Sequence, residues 1–153
     1  LVKRIAAGDK RTSFVGSDFF YEDVSGRGLT EDNHKLVETT DKFYVVLNTP
    51  KAPSNVEFSH YIVWIDKQTF MPVKTEYTDN SDRVYRRVEA LKVKTIQGFP
   101  TATRMKVSNL RTGSYTLNEM RFISYNMDIP ADIFSERSLR NPPRQWLKRP
   151  AKK

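Results

Sequence analysis

Residues 58–78 read Phe58-Ser59-His60-Tyr61-Ile62-Val63-Trp64-Ile65-Asp66, then Lys67-Gln68-Thr69-Phe70, then Met71-Pro72-Val73-Lys74-Thr75-Glu76-Tyr77-Thr78. The first run is apolar on both parities. Tyr61, Val63 and Ile65 fall on one and Phe58, Ile62 and Trp64 on the other, so as a strand it is covered on both faces. The second run alternates, with Met71, Val73 and Tyr77 against Lys74, Glu76 and Thr78, as a strand with one wet face does. Asp66-Lys67-Gln68-Thr69 supplies the turn between them. Adjacent runs of period two joined by a tight turn read as an antiparallel hairpin, and the rest of the chain extends it in both directions.

On the N-terminal side, His34–Thr39 and Lys42–Asn48 flank Thr40-Asp41 as another hairpin, and Pro50 and Pro53 bound a loop. On the C-terminal side, Asp79-Asn80-Ser81-Asp82 is the strongest turn signal in the chain. Arg83–Ile96 follows, and its apolar phase slips from Val84, Val88 and Ala90 to Leu91 and Val93, which predicts a bulge near Ala90. Gly98 and Pro100 turn the chain into Thr101–Leu110, where Met105 and Val107 alternate with Arg104 and Lys106. Thr112-Gly113 turns it again into Ser114–Asn126.

Helical signals are few. Residues 1–13 read as a strand end or loop. Ser17 fits an N-cap with Asp18 in the first turn, and Phe19–Val24 makes about one helical turn, closed by Gly26 and Gly28. Pro130 precedes a short helix over 131–134, and Pro142-Pro143 ends regular structure. The expected fold is mainly β: a curved antiparallel meander of roughly six or seven strands with short helices.

The 153 residues suit one domain, expected over 1–147 with a basic tail at 148–153. With 38% hydrophobic residues, nine Phe, seven Tyr and two Trp, the chain is too aromatic for disorder. No apolar run approaches the ~20 residues of a spanning helix. Zero cysteines exclude disulfides and thiolate chemistry. The net charge of +8 sits at the ends: residues 12–135 hold 15 basic and 16 acidic residues, whereas 136–153 hold seven basic residues against Glu136. That pattern reads as a solvated basic tail, or one drawn to anionic headgroups, rather than the structured basic stripe of a nucleic-acid module.

The inventory for catalysis is poor. His34 sits in an acidic loop, His60 reads as a packed or hydrogen-bonded strand residue, and no nucleophile or phosphate-loop motif appears. Asp18, Glu22 and Asp23 form an acidic cluster that suits a helix start, and Asp79 and Asp82 suit a turn. No catalytic residue, metal ligand or cofactor is therefore expected, and the chain does not read as an enzyme.

Apolar excess on both sides of one sheet stands out instead. By parity, Tyr44, Val46, Ile62, Trp64, Met120 and Phe122 form one set, and Phe43, Val45, Leu47, Tyr61, Val63 and Ile65 another. A sheet with two apolar faces is covered by helices, another chain or a ligand. A concave apolar face is a usual form of lipid site in an open barrel. Tyr61, Val63, Ile65, Met105 and Val107, each set sharing parity within its strand, are the candidate lining, with the parity that faces the cavity left open.

Several motifs resemble a known family. Ser13-Phe14-Val15-Gly16-Ser17-Asp18-Phe19-Phe20-Tyr21-Glu22-Asp23 is similar to the S-F-x-G-S-D-F-x-Y-E-D signature of the LolA-like outer-membrane lipoprotein-sorting family. Tyr44–Pro50, Trp64–Thr69, Pro72–Tyr77, Pro100–Gly113 and Phe134–Arg140 resemble its later strands, hairpin and closing segment, in order. The resemblance spans about Lys3 to Trp146. It implies an incomplete (half) barrel in the periplasm that binds lipid or acylated lipoprotein, with a membrane transporter as partner. The family's N-terminal helix and first strands have no counterpart here, so an open apolar face and a homodimer through the exposed sheet edge are expected. An accessory docking module that carries no lipid is the competing reading. The Gly16–Asp23 segment is expected to brace the barrel, and Trp146 and Leu147 to pack the tail over the sheet.

Overall fold

In the computed structural model, which describes residues 5–147, seven strands form one sheet in chain order, each antiparallel to the one before. They are β1 (Asp32–Thr39), β2 (Phe43–Pro50), β3 (His60–Asp66), β4 (Pro72–Thr78), β5 (Val84–Ile96), β6 (Phe99–Asn109) and β7 (Tyr115–Glu119). β1 and β7 are the two edges, so the sheet is open and the mainly β half-barrel expected from the sequence is the observed architecture. Three short helices complete it: α1 (Tyr21–Ser25), α2 (Glu136–Arg140) and α3 (Arg144–Leu147). Residues 1–4 and the basic tail 148–153 lie outside the described residues.

The turns follow from their side chains. Asp66 Oδ1 accepts from the backbone N–H groups of Gln68 and Thr69 at 3.1 and 2.8 Å, fixing the β3–β4 turn. Asp79 Oδ1 does the same for Ser81 and Arg83. Between β5 and β6, Gln97 and Gly98 both take positive φ, 50° and 86°, the backbone twist of a two-residue hairpin turn. The phase slip at Ala90 is a register shift between Ala90 and Lys92, as its sequence predicts, and a further shift lies between Leu36 and Glu38 in β1.

Four local expectations are corrected. α1 starts at Tyr21, not Phe19, because Asp23 accepts from the Phe20 N–H at 2.7 Å and sets the helix start there, while the Ser17 hydroxyl bonds to Phe14 O. Pro100 lies inside β6, paired with Thr95, where its missing N–H does no harm because β7 reaches only as far as Arg104. β7 stops at Glu119 rather than Asn126, and the chain beyond runs beside β6 through Met120 N–H to Thr103 O. Pro142-Pro143 precedes rather than precludes a helix, since α3 opens with Trp146 N–H bonded to Pro143 O. Trp146 is half-buried with its indole Nε1 out of solvent, whereas Leu147 is exposed, and α2 and α3 make no side-chain hydrogen bond to the sheet among the described residues.

Cross-strand register defines the two faces. One row runs Asn48–Tyr61–Tyr77–Arg86–Asn109, and a second on the same face runs Val46–Val63–Thr75–Val88–Val107–Thr116. The opposite face carries Val45, Trp64, Lys74, Glu89 and Lys106 in line. Its β4–β6 half is a charged surface in which Glu76 pairs with Lys74 and Arg87, and Lys74 Nζ sits 4.0 Å above the Trp64 ring. The parity sets are therefore corrected: Tyr44 and Val46 share a face with Tyr61, Val63 and Ile65, and Ile62 and Trp64 share one with Phe43, Val45 and Leu47. Parity within a strand is readable from sequence, but the offset between strands is set by the turn.

Among apolar side chains deep burial is limited to a few, chiefly Phe58, Val107 and Val45. The accessible surface is 11529 Å². A compact monomer of 17.8 kDa would expose roughly 8,000 Å². Part of the excess comes from a single-layered sheet whose faces are only partly covered.

Candidate ligand-binding face

The face that holds Val63 and Val107 has two ends. Over the first lies residues 11–32, the segment that contains the Ser13–Asp23 motif. Asp32, 2% exposed at the start of β1, is gripped by the Arg27 fork, Nε to Oδ2 at 2.8 Å and Nη2 to Oδ1 at 2.7 Å, and accepts the Tyr61 hydroxyl at 2.7 Å. Burial raises the Asp32 carboxyl, but the Arg27 and Tyr61 hydrogen bonds outweigh it and hold it below the usual carboxylate range. Burial and the same carboxylate push the Tyr61 phenol up.

Around this pair, Arg11 reaches Glu57 at 2.6 Å, Glu22 and the Asn55 carbonyl, while Glu22 also meets Arg27. Arg86, buried on β5, bonds Asp23 and stacks on the Phe20 ring at 4.1 Å. Asp18 accepts from Ser114 at 2.6 Å and Thr116 at 2.8 Å, tying the segment to β7. Phe58, Tyr61 and Tyr77 fill the space beneath as an aromatic triad with centroids 5.1–5.5 Å apart. Asp18, Glu22 and Asp23 are thus not a cluster: each leaves for a different partner. The Gly16–Asp23 segment braces the sheet through these bonds. A polar cleft of about 730 Å³ opens beside it, lined by Arg11, Glu22, Arg27, Glu31, Lys51 and Asn55. Its arginines already face carboxylates, and Lys51 Nζ meets the Thr30 carbonyl at 3.0 Å.

His34 closes the β1 margin. The Asn48 amide nitrogen donates to Val46 O and Tyr61 O, which turns its Oδ1 toward His34 Nδ1 at 2.6 Å, and His34 Nε2 faces Leu29 O at 2.8 Å. Both ring nitrogens meet acceptors, so the imidazolium is favoured; Asn48 first, then Leu29, raise its pKa. His60 bonds Ser59.

The second end is different. There Leu36, Tyr44, Val46, Val63, Ile65, Thr75, Val88, Ala90 and Met105 occupy the same face. Leu36 is exposed and the others are half-buried. Of the candidate lining, Val63, Ile65 and Met105 lie on this open part. Tyr61 lies at the braced end with its hydroxyl committed to Asp32, and Val107, 0% exposed, lies beneath the cover. Register brings all five to one face. Sequence reasoning missed Arg27, Asp32 and Arg86. The visible signal was Arg86 on the apolar parity of its strand, between Val84 and Val88.

An open antiparallel meander with this half-covered apolar face defines a LolA-like fold. More particularly, a family model described as an uncharacterized protein matches residues 1–141, and the chain belongs to that family. A DUF1329 family protein from Desulfovibrio piger is 28% identical with a TM-score of 0.79, over 91% of this chain and 60% of that one. A putative outer membrane lipoprotein-sorting protein domain from Vibrio parahaemolyticus is 25% identical with a TM-score of 0.78, over 90% and 60%. A LolA superfamily protein from Nitrosomonas europaea, 20% identical over 84% and 60% with a TM-score of 0.57, shares the fold. The chain thus spans about 60% of the length of each of these structures. No curated protein matches the chain. Among the described residues no helix is long and apolar enough to cross a membrane, and no three His, Asp or Glu side chains converge as metal ligands.

Proposed function

We propose that this protein is a non-enzymatic carrier of the periplasm that holds acyl chains of a lipid or lipoprotein against the open end of its sheet face. The single domain 1–147 is the acting unit and 148–153 its basic tail. The observation that carries the reading is the row of half-buried apolar residues without polar partners, beside a braced end on the same strands. Val63, Ile65 and Met105 form the contact surface, Val107 supports it from below, and Tyr61 marks its polar rim. Apolar burial would supply ~0.8 kcal/mol per methylene, enough for tight holding by two or three chains. Release then requires a membrane partner that accepts the cargo.

A second reading, a docking module of an envelope complex without cargo, is favoured by one observation: the 730 Å³ cleft carries the charged Arg11, Glu22, Arg27 and Lys51 among its lining and lies away from the open apolar row. Native mass spectrometry of the purified chain with lipid extraction decides between them. Near-stoichiometric phospholipid or acylated species is the expected result. A ligand-free mass with no uptake of a fluorescent fatty acid removes the carrier reading and leaves the docking module.

A further inference from the structure

The near-neutral middle of the chain is a charge dipole. Residues 12–89 hold nine basic and 13 acidic side chains, and residues 90–127 hold six basic and one acidic. The basic half coincides with a protrusion. β4 last pairs with β5 at Glu89, so Ala90–Ile96 and the returning strand continue alone, reaching about 20 Å past the sheet at ~3.3 Å per residue.

The protrusion is held rigid. The Tyr125 N–H donates to Gln97 Oε1 at 2.7 Å, Gln97 Nε2 donates back to Tyr125 O at 3.4 Å, and the Tyr125 hydroxyl meets Thr101 Oγ1 at 2.8 Å. The Tyr125 ring lies 5.0 Å from Phe99. Yet what this scaffold displays is apolar: Phe99 is 44% and Phe122 66% exposed, with Leu91, Val93 and Met120 exposed beside them. Interleaved are Lys92, Lys94, Arg104 and Arg121, and residues 90–104 and 120–127 contain no acidic side chain.

We infer that this hairpin and the Met120–Met127 strap dock on an anionic phospholipid bilayer. Phe99 and Phe122 enter the interface, and Lys92, Lys94, Arg104 and Arg121 meet lipid phosphates. Aromatic tips suit the headgroup boundary, and each basic residue near an anionic leaflet adds attraction that a zwitterionic one lacks. Although Arg104 stands opposite Glu119 across β6 and β7, none of the four cations makes an ion pair among the described residues, and exposed aromatics among such cations fit that surface better than a polyanion alone, which would leave the aromatics without a role. The inference is independent of cargo, because it uses residues outside the carrier face.

The test is co-sedimentation of the full chain with phosphatidylcholine vesicles, with and without about 30% phosphatidylglycerol. Binding is expected only with the anionic lipid. Lys92→Gln with Lys94→Gln is expected to lower the partition coefficient roughly 30-fold, from two lost basic contacts. Phe99→Ser is expected to lower it roughly tenfold, and Lys35→Gln with Lys42→Gln, on the far edge, to leave it unchanged. All these side chains lie at the surface, and unchanged thermal unfolding verifies each variant. Three results overturn the inference: no binding to anionic vesicles, binding by the hairpin variants equal to that of the parent chain, or a loss that follows the lysines, ignores Phe99 and is matched on heparin. The second assigns binding to the basic stretch after residue 136, and the third to plain charge attraction. Failure here leaves the lipid-extraction experiment unaffected.

Discussion

The two ends of one sheet face are built from the same strands and differ in what lies over them. At one end the row Asn48–Tyr61–Tyr77–Arg86–Asn109 meets a segment that brings Asp23 to the buried Arg86 and Arg27 to the buried Asp32. At the other, two residues further along each strand, Val46, Val63 and Val88 meet no such cover. The strand alone therefore does not decide whether its side chains become core or surface. The covering segment does, and it covers only where it offers charges and rings that complete the strand's own. A face finished at one end and unfinished at the other confines the charged brace to half of one layer.

The comparison breaks most readily at Asp32. Asp32→Ala leaves the Tyr61 hydroxyl without its acceptor and Arg27 with only its longer contacts to Glu22 and Glu31, 3.4 and 3.2 Å, and the expected loss is about 2–4 kcal/mol in urea unfolding. A loss below about 1 kcal/mol would put the pair in the class of surface ion pairs and dissolve the distinction.

A smaller effect comes from pH. His34 has a raised pKa in the folded chain, so its contribution to stability is complete below the unfolded value of 6.5 and is lost as pH rises through the folded value. Asp32 runs the other way: its depressed carboxyl stabilises above its unfolded value of 3.8 and ceases to do so as pH falls through the folded value. Urea midpoints between about pH 5 and about pH 9 should fall with pH in the parent and flatten in His34→Ala. An unchanged slope would free His34 from the brace.

The smallest stability effect belongs to the open end. Ile65→Ser with Met105→Ser should change unfolding by no more than about 1 kcal/mol, since neither side chain is fully buried. Uptake of a fluorescent fatty acid should drop sharply in the same variant. Normal uptake would move the cargo off this face.

The strands were legible because period-two patterns and turn chemistry are local: Asp66, Asp79 and the slip at Ala90 each marked their own place. The face assignments were not, because pairing Tyr44 with Ile65 rather than with Trp64 depends on an offset that no single strand encodes. The lining set was readable only up to parity, and its division into braced and open parts required the position of residues 11–32. Arg27 and Asp32 carried no motif, being joined by a loop whose path only the fold supplies. Pro100 misled because a proline within a strand usually argues against one, and whether its N–H side has a neighbour is a property of β7.

The margins of the sheet carry one more consequence. β1 is interrupted by a bulge after Leu36, β7 is five residues long, and the part of β6 that β7 leaves bare opens with Pro100. Each feature spoils a template on which another copy's strand would grow. Short, bulged and proline-bearing margins therefore offer an incoming strand few consecutive backbone partners.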